Sequence, residues 1–152
     1  MPCSKTHGIA GTVAGTAASL YFARQQEPSA LALEALGGAL AGSWSGCWAD
    51  HIEPAFHPHH RGPAHAAIPN ALVWYPYFTQ ISNAQNALRH YSEQFSARAQ
   101  ESSGVLAVLY DILAALLRIG TGAVAGIPAG YLSHVALDAF TPFGIPVIGL
   151  RA

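Results

Sequence analysis

Polar and apolar positions along this chain recur at helical spacing, and stretches that alternate Val, Ile and Thr with polar residues are absent. Ala and Leu dominate, so the pattern predicts an all-α protein, an antiparallel bundle of about six helices. The first helix is expected from Thr6 to Arg24, ending ahead of Glu27-Pro28. The second starts at Ser29, a side chain suited to an N-cap, and reaches about Trp48. A loop follows from Asp50 to Gly62. Pro63 opens the third helix, which bends at Pro69 and ends near Phe78. Ser82 caps a fourth, to Gln100, whose Ile81, Ala84, Leu88, Tyr91 and Phe95 form one stripe. Ser102-Ser103-Gly104 breaks it. The fifth runs from Val105 to Arg118. The sixth runs from Thr121 to Phe140, bends near Pro128 and stops before Thr141-Pro142. The tail from Phe143 is expected to be extended. Neither an internal repeat nor a low-complexity linker interrupts the pattern, so residues 1–152 form one domain.

Composition sharpens this picture in two ways. Hydrophobic residues make up 51% and charged residues only 10%, which excludes intrinsic disorder. Seven Lys+Arg against eight Asp+Glu, scattered singly, give a net charge of −1 and exclude a phosphate-tracking groove, so no direct nucleic-acid binding is expected. Four stretches border on membrane-spanning length: Gly8–Ala23 has no charge, Ser29–Ala49 carries Glu34, Val105–Leu117 carries Asp111, and Ile119–Phe140 carries His134 and Asp138. Small-x-x-x-small spacing at Gly11/Gly15, Gly38/Gly42, Gly122/Gly126 and Gly126/Gly130 suits close helix packing in lipid and in water alike. The apolar run after Lys5 is too weak in Leu and Ile for a cleaved leader. Cys3 and Cys47 lack a C-x-x-C context and read as reduced thiols, with a disulfide or a thiolate ligand as the alternative.

Charge is scarce, but histidine is not. There are eight, and five of them (His51, His57, His59, His60 and His65) fall within fifteen residues. Short connections make neighbouring helices antiparallel. Following the chain up and down then brings His7, Asp50, Glu53, His60, His65, His134 and Asp138 to one end of the bundle. His134 and Asp138, at i and i+4, share one helix face. Imidazoles and carboxylates without a thiolate set suit a divalent cation, zinc first, with manganese or iron as alternatives. Such an ion acidifies a bound water, and an unligated carboxylate serves as general base. Glu53 is expected as ligand or base, and Arg61 as a phosphoryl-binding or carboxylate-pairing group. His57 and His59, between prolines, read as solvent-facing. His51 and His90 carry no site role, and Glu34 and Asp111 read as bundle contacts.

Four motifs carry a resemblance. They are Thr6-His7, Asp50-x-x-Glu53-Pro54, His60-Arg61-Gly-x-x-His65, and Gly130-Tyr131-Leu-Ser133-His134-x-x-x-Asp138-x-x-Thr141-Pro142-x-Gly144. Together they resemble the YdjM-like family, whose members are described as LexA-binding, inner-membrane-associated, metal-dependent hydrolases. The resemblance spans His7 to Pro146. It implies an all-helical fold, a divalent metal held by His7, Asp50, Glu53, His60, His65, His134 and Asp138, and a place in or on the bacterial inner membrane, with the cytoplasm as alternative. A distant kinship of that family with zinc-dependent phospholipase C and nuclease-P1-like enzymes implies phosphoester hydrolysis, of a small molecule or a phospholipid, with Glu53, Arg61 and Asp138 as catalytic groups. A homo-oligomer is compatible with all of this. The chain departs from the family where many members carry Pro-Asp-x-Asp and it has Ala49-Asp50-His51-Ile52-Glu53, where Ala66 stands for the usual Ser, and in the polar helix Ser82–Gln100, which looks inserted. Two other readings compete with the enzyme: a membrane or assembly protein with a structural metal, and a regulatory binding module.

Overall fold

The computed structural model describes residues 4–54, 61–142 and 144–148. Among these the architecture is all-helical: α1 Ser4–Ala23, α2 Pro28–Ser45, the short α3 Trp48–Ile52, a 3-10 turn at Pro63–His65, α4 Ala67–Glu101 and α5 Gly104–Ala139. Four long helices therefore stand where six of ordinary length are expected. α5 is central. It packs against α1 and α2, which also pack on each other, and against α4 on its remaining side.

The difference lies in two reversals that do not occur. The expected third and fourth helices merge into α4, which begins at Ala67 rather than Pro63 and runs through both Pro76 and Ser82. The chain bridges the donor lost at Pro76 without breaking, and the Thr79 hydroxyl bonds back to the Pro76 carbonyl at 2.7 Å. The expected fifth and sixth merge into α5, where the Thr121 hydroxyl bonds back to the Leu117 carbonyl at 2.8 Å inside an unbroken helix. Two missing reversals cancel, so the end of α5 still returns beside the start of α1. The break at Ser102-Ser103 holds, with Gly104 at φ +59°, a left-handed value that glycine adopts without steric cost. α2 starts one residue earlier than expected, with Pro28 in its first turn and Glu27 preceding it, in place of a Ser29 cap.

Glycine sets how closely the helices meet. A Cβ on Gly11 or Gly15 of α1 would collide with the Gly42 or Gly38 carbonyl of α2, and one on Gly126 or Gly130 of α5 would collide with the same two carbonyls from the other side. α2 is thus clasped backbone to backbone, and little room is left for large apolar side chains. The compact apolar cluster consists of Ala49, Tyr131 and Val135, with Trp48, Trp74 and Ile145 against it. The tail residues Pro146 and Val147 accept the first free N–H groups of α4, from Ala67 and Ile68.

Candidate metal centre

Each arm of the site is placed by a local device. α2 ends at Ser45, and the Gly46-Cys47 turn redirects the chain into α3, which carries Asp50. Gly62 and the 3-10 turn bring His65 inward. Arg61 fastens that segment to the end of α5: one terminal nitrogen donates to the Asp138 carbonyl at 3.1 Å, to the Thr141 hydroxyl at 2.7 Å and to the Gly144 carbonyl, and the other donates to Asp138 Oδ1 at 2.8 Å. The guanidinium satisfies carbonyls at the end of α5 and holds one oxygen of Asp138, so the other faces the histidines.

Two triangles of donor atoms share one edge there. His65 Nε2 and His134 Nε2 are 3.2 Å apart. Asp50 Oδ1 lies 3.5 Å from each of them. Asp138 Oδ2 lies 3.6 Å from each. A divalent ion with bonds of about 2.0–2.2 Å holds adjacent ligands about 3.2–3.6 Å apart at tetrahedral angles, so both triangles have the right edges.

The outer nitrogens define what the inner ones can be. His134 Nδ1 is 2.7 Å from the Gly46 carbonyl, which only accepts, so Nδ1 carries the proton. His65 Nδ1 is 2.9 Å from Glu53 Oε2, and that carboxylate already accepts the backbone N–H groups of Gly62 and Ala64 at 2.7 and 2.9 Å. In their neutral forms the two rings would aim lone pairs at each other and at two carboxylate oxygens. Acceptors do not face one another at this distance without a cation among them, whether protons on the rings or a metal. Three carboxylates, Asp50, Glu53 and Asp138, stand against one guanidinium, that of Arg61, which leaves two positive charges to be supplied.

Burial works against ionising Asp50, but hydrogen bonds from His134 and His65 outweigh it and hold the carboxyl well below the usual carboxylate range. Its side chain is 31% exposed, whereas those of His65, His134 and Asp138 are at 0–3%, so the site opens on the Asp50 side. Burial, and after it the charge of Asp50, pushes the Cys47 thiol up, away from the thiolate that a metal would need.

The structure brings together His7, Asp50, Glu53, Arg61, His65, His134 and Asp138, seven of the eight residues expected at the site. His60 lies outside the described residues, as do His57 and His59. His7 stacks flat on His134, with ring centroids 3.8 Å apart and planes at 21°, and its Nε2 is 3.9 Å from Asp138 Oδ1. It forms a second donor group with His134 and Asp138, and its buried Nδ1 has no hydrogen-bond partner among the described residues. Glu53, expected as ligand or base, faces the outer nitrogen of His65. Two contributors escaped sequence reasoning. The Gly46 carbonyl orients His134, and a backbone acceptor leaves no side-chain signal. Tyr131 donates to the Ala64 carbonyl at 2.6 Å beside His65, and its place three residues before His134 was the available hint.

Comparison with known protein families, curated proteins and solved structures gives no match for this chain. Among the described residues the geometry alone shows an all-helical arrangement with His/Asp groups that could hold a metal ion, and one helix, α5, long and apolar enough to cross a membrane.

Proposed function

We propose that this protein is a membrane-associated, metal-dependent hydrolase of phosphoesters. The observation that carries the reading is the grouping of the His65 and His134 Nε2 atoms with carboxylate oxygens of Asp50 and Asp138 within 3.6 Å of them, an arrangement that could hold a metal ion. Asp50, His65 and His134 would hold an ion, and His7, His134 and Asp138 form a second donor group. Zinc suits the donors best, with manganese or iron as alternatives. Bound there, a divalent ion would supply a Lewis acid that lowers the pKa of a bound water to about 7. Glu53 and the Gly46 carbonyl fix the tautomers of His65 and His134 and keep both Nε2 atoms available. Arg61 has donors spent on the end of α5 and on Asp138, so it positions that carboxylate rather than reaching for a phosphoryl group. Asp50 is the ligand carboxylate that meets solvent, and it is in reach of the proton of an incoming water.

The exterior supports the membrane part. α1 carries no Asp, Glu, Lys or Arg between Lys5 and Arg24, and the one such residue of α2, Glu34, is buried and paired with Arg89 and Arg118. Ile9, Val13, Leu36, Leu40, Trp44, Leu72 and Phe78 face outward, while the largest fully buried side chains include Arg61, His7, His65, His134, Gln85 and Glu34. Along α1, α2 and the first half of α4, an apolar outside around a small and polar inside suits lipid better than water.

The test is elemental analysis of protein purified without chelator, followed by a phosphodiester and phosphomonoester panel. Bound zinc, manganese or iron is expected, and His134→Ala should abolish both metal and turnover. Protein that holds no such metal would sink the reading. Complete burial of His65 and His134 favours a second reading, a structural metal; it wins if the metal stabilises the fold while the whole panel stays silent.

A further inference from the structure

We propose that the guanidinium of Arg61 stands in for a second cation. The centre then takes one divalent ion, at Asp50, His65 and His134, and the other donor group, His7, His134 and Asp138, stays free of metal. This rests on the metal half of the proposed function and is independent of the hydrolytic half.

His134 has one lone pair to give. It belongs to both donor groups, and its Nδ1 donates to the Gly46 carbonyl at 2.7 Å, so Nε2 alone is left to bind. One nitrogen lone pair binds one ion. An ion held through it by Asp50 and His65 deprives the other group of its middle ligand. Asp138 is also spoken for. The oxygen nearest His7 Nε2 is Oδ1, at 3.9 Å, and Arg61 donates to that same oxygen at 2.8 Å. These two side chains are 1% and 3% exposed, and a guanidinium keeps its proton inside proteins. A metal ion on Oδ1 would face that fixed charge with little water to screen it.

Net charge gives the same count. Among the described residues Asp50, Glu53 and Asp138 bring three negative charges and Arg61 one positive charge. One divalent ion makes the cluster neutral. A second would leave two positive charges against side chains that are almost fully buried, at a heavy desolvation cost. The three imidazoles are prepared accordingly. Glu53 and the Gly46 carbonyl hold the Nδ1 atoms of His65 and His134 and present their Nε2 atoms. His7 Nδ1 is buried without a hydrogen-bond partner among the described residues, so nothing there orients the ring as a ligand. His7 instead lies flat on His134, with ring centroids 3.8 Å apart.

The experiment uses the full chain held in an amphipathic polymer and stripped of metal. Zinc uptake is titrated calorimetrically, and manganese(II) uptake is followed by electron paramagnetic resonance. Wild-type protein should take one equivalent of either metal, and the manganese signal should be that of an isolated ion. His7→Phe, which keeps a stacked ring, should leave the count at one and lower affinity by less than the about 10-fold that follows loss of a partner orienting a ligand. Arg61→Gln should raise the count to two, and His7→Phe added to it should return the count to one. Two equivalents in wild-type protein, an exchange-coupled manganese pair, or loss of the ion in His7→Phe overturns the inference, and none of these readings needs the Arg61 variant to fold. A folded Arg61→Gln protein that still takes one ion overturns it too. Two ions in an active wild-type phosphoesterase overturn the count and leave the hydrolase reading standing. One ion in a protein silent across the whole phosphoester panel upholds the count and fails the hydrolase reading.

Discussion

Two polar clusters are buried in this bundle, about 24 Å apart along α5, and they differ in how they are satisfied. At one, Glu34 accepts Arg89 at 3.0 and 2.6 Å and Arg118 at 3.1 Å, while Arg118 also reaches Gln26 and Glu93. Two guanidinium groups meet the buried Glu34 and the exposed Glu93, and donors face acceptors. At the other, three carboxylates meet one guanidinium, and two imidazole Nε2 atoms stand 3.2 Å apart. Both clusters cost desolvation. The first is complete and clamps α2, α4 and α5 together. The second is complete only with a cation. In a buried polar cluster, an imbalance of charge and of donors separates a site from a brace.

The largest expected effect breaks this contrast from the metal side. Stripping the ion with a chelator should lower the melting temperature by about 10 °C, as expected for a nanomolar ligand at micromolar concentration in a domain of this size. His134→Ala should remove the metal and with it the response to chelator. Equal melting of wild-type protein with and without chelator would put the two clusters in one class.

The brace should respond in the opposite sense. Glu34→Ala leaves two half-buried guanidinium groups, Arg118 with only the exposed Glu93 as a carboxylate partner, and should cost about 3 kcal/mol, read by chemical denaturation, with metal content unchanged. Replacing the trio together (Glu34→Met, Arg89→Leu and Arg118→Met) should recover most of that loss. A fall in metal content in either variant would mean that the clusters are coupled.

Glu53→Gln sharpens the comparison within the site. The amide keeps the volume but cannot accept from Gly62, Ala64 and His65 together, so His65 loses its anchor. Metal affinity should fall about 10- to 100-fold, measured by chelator competition, with little change in the fold. A fall to no binding would make Glu53 a ligand, as its spacing from Asp50 first suggested.

These contrasts also show what a sequence can display. The convergence at one end was legible because it depends on the parity of reversals, and parity survived the loss of two. The number of helices was not. Ser82 reads equally well as a cap or as an ordinary helical residue, and the packing that keeps α5 straight across Gly120 and Thr121 comes from α2, where a Cβ on Gly122 would collide with the Glu34 carbonyl. The glycine spacing announced close packing between particular helices. The division of labour inside the site stayed hidden. Asp50 and Glu53 look alike as carboxylates three residues apart, and only the turn at Gly62 decides which one faces His65 Nε2 and which one Nδ1.

The smallest effect is in pH, and its sign follows from Asp50. With its folded pKa depressed, Asp50 contributes stability that is fully present above its unfolded value of about 3.9 and is lost as the pH falls towards the folded one. In metal-free protein, Asp50→Asn should therefore flatten the acid limb of the stability curve below about pH 4. The change is modest, because a side chain 31% exposed is partly screened by solvent. Metal-loaded protein should behave differently: protons and the ion compete for the same Nε2 atoms, so metal affinity should fall as the pH drops. Denaturant titrations from pH 7 to 2, with and without zinc, separate the two limbs. An Asn variant that keeps the wild-type acid slope would remove Asp50 from the converging set and leave His65, His134 and Asp138 to hold the cation.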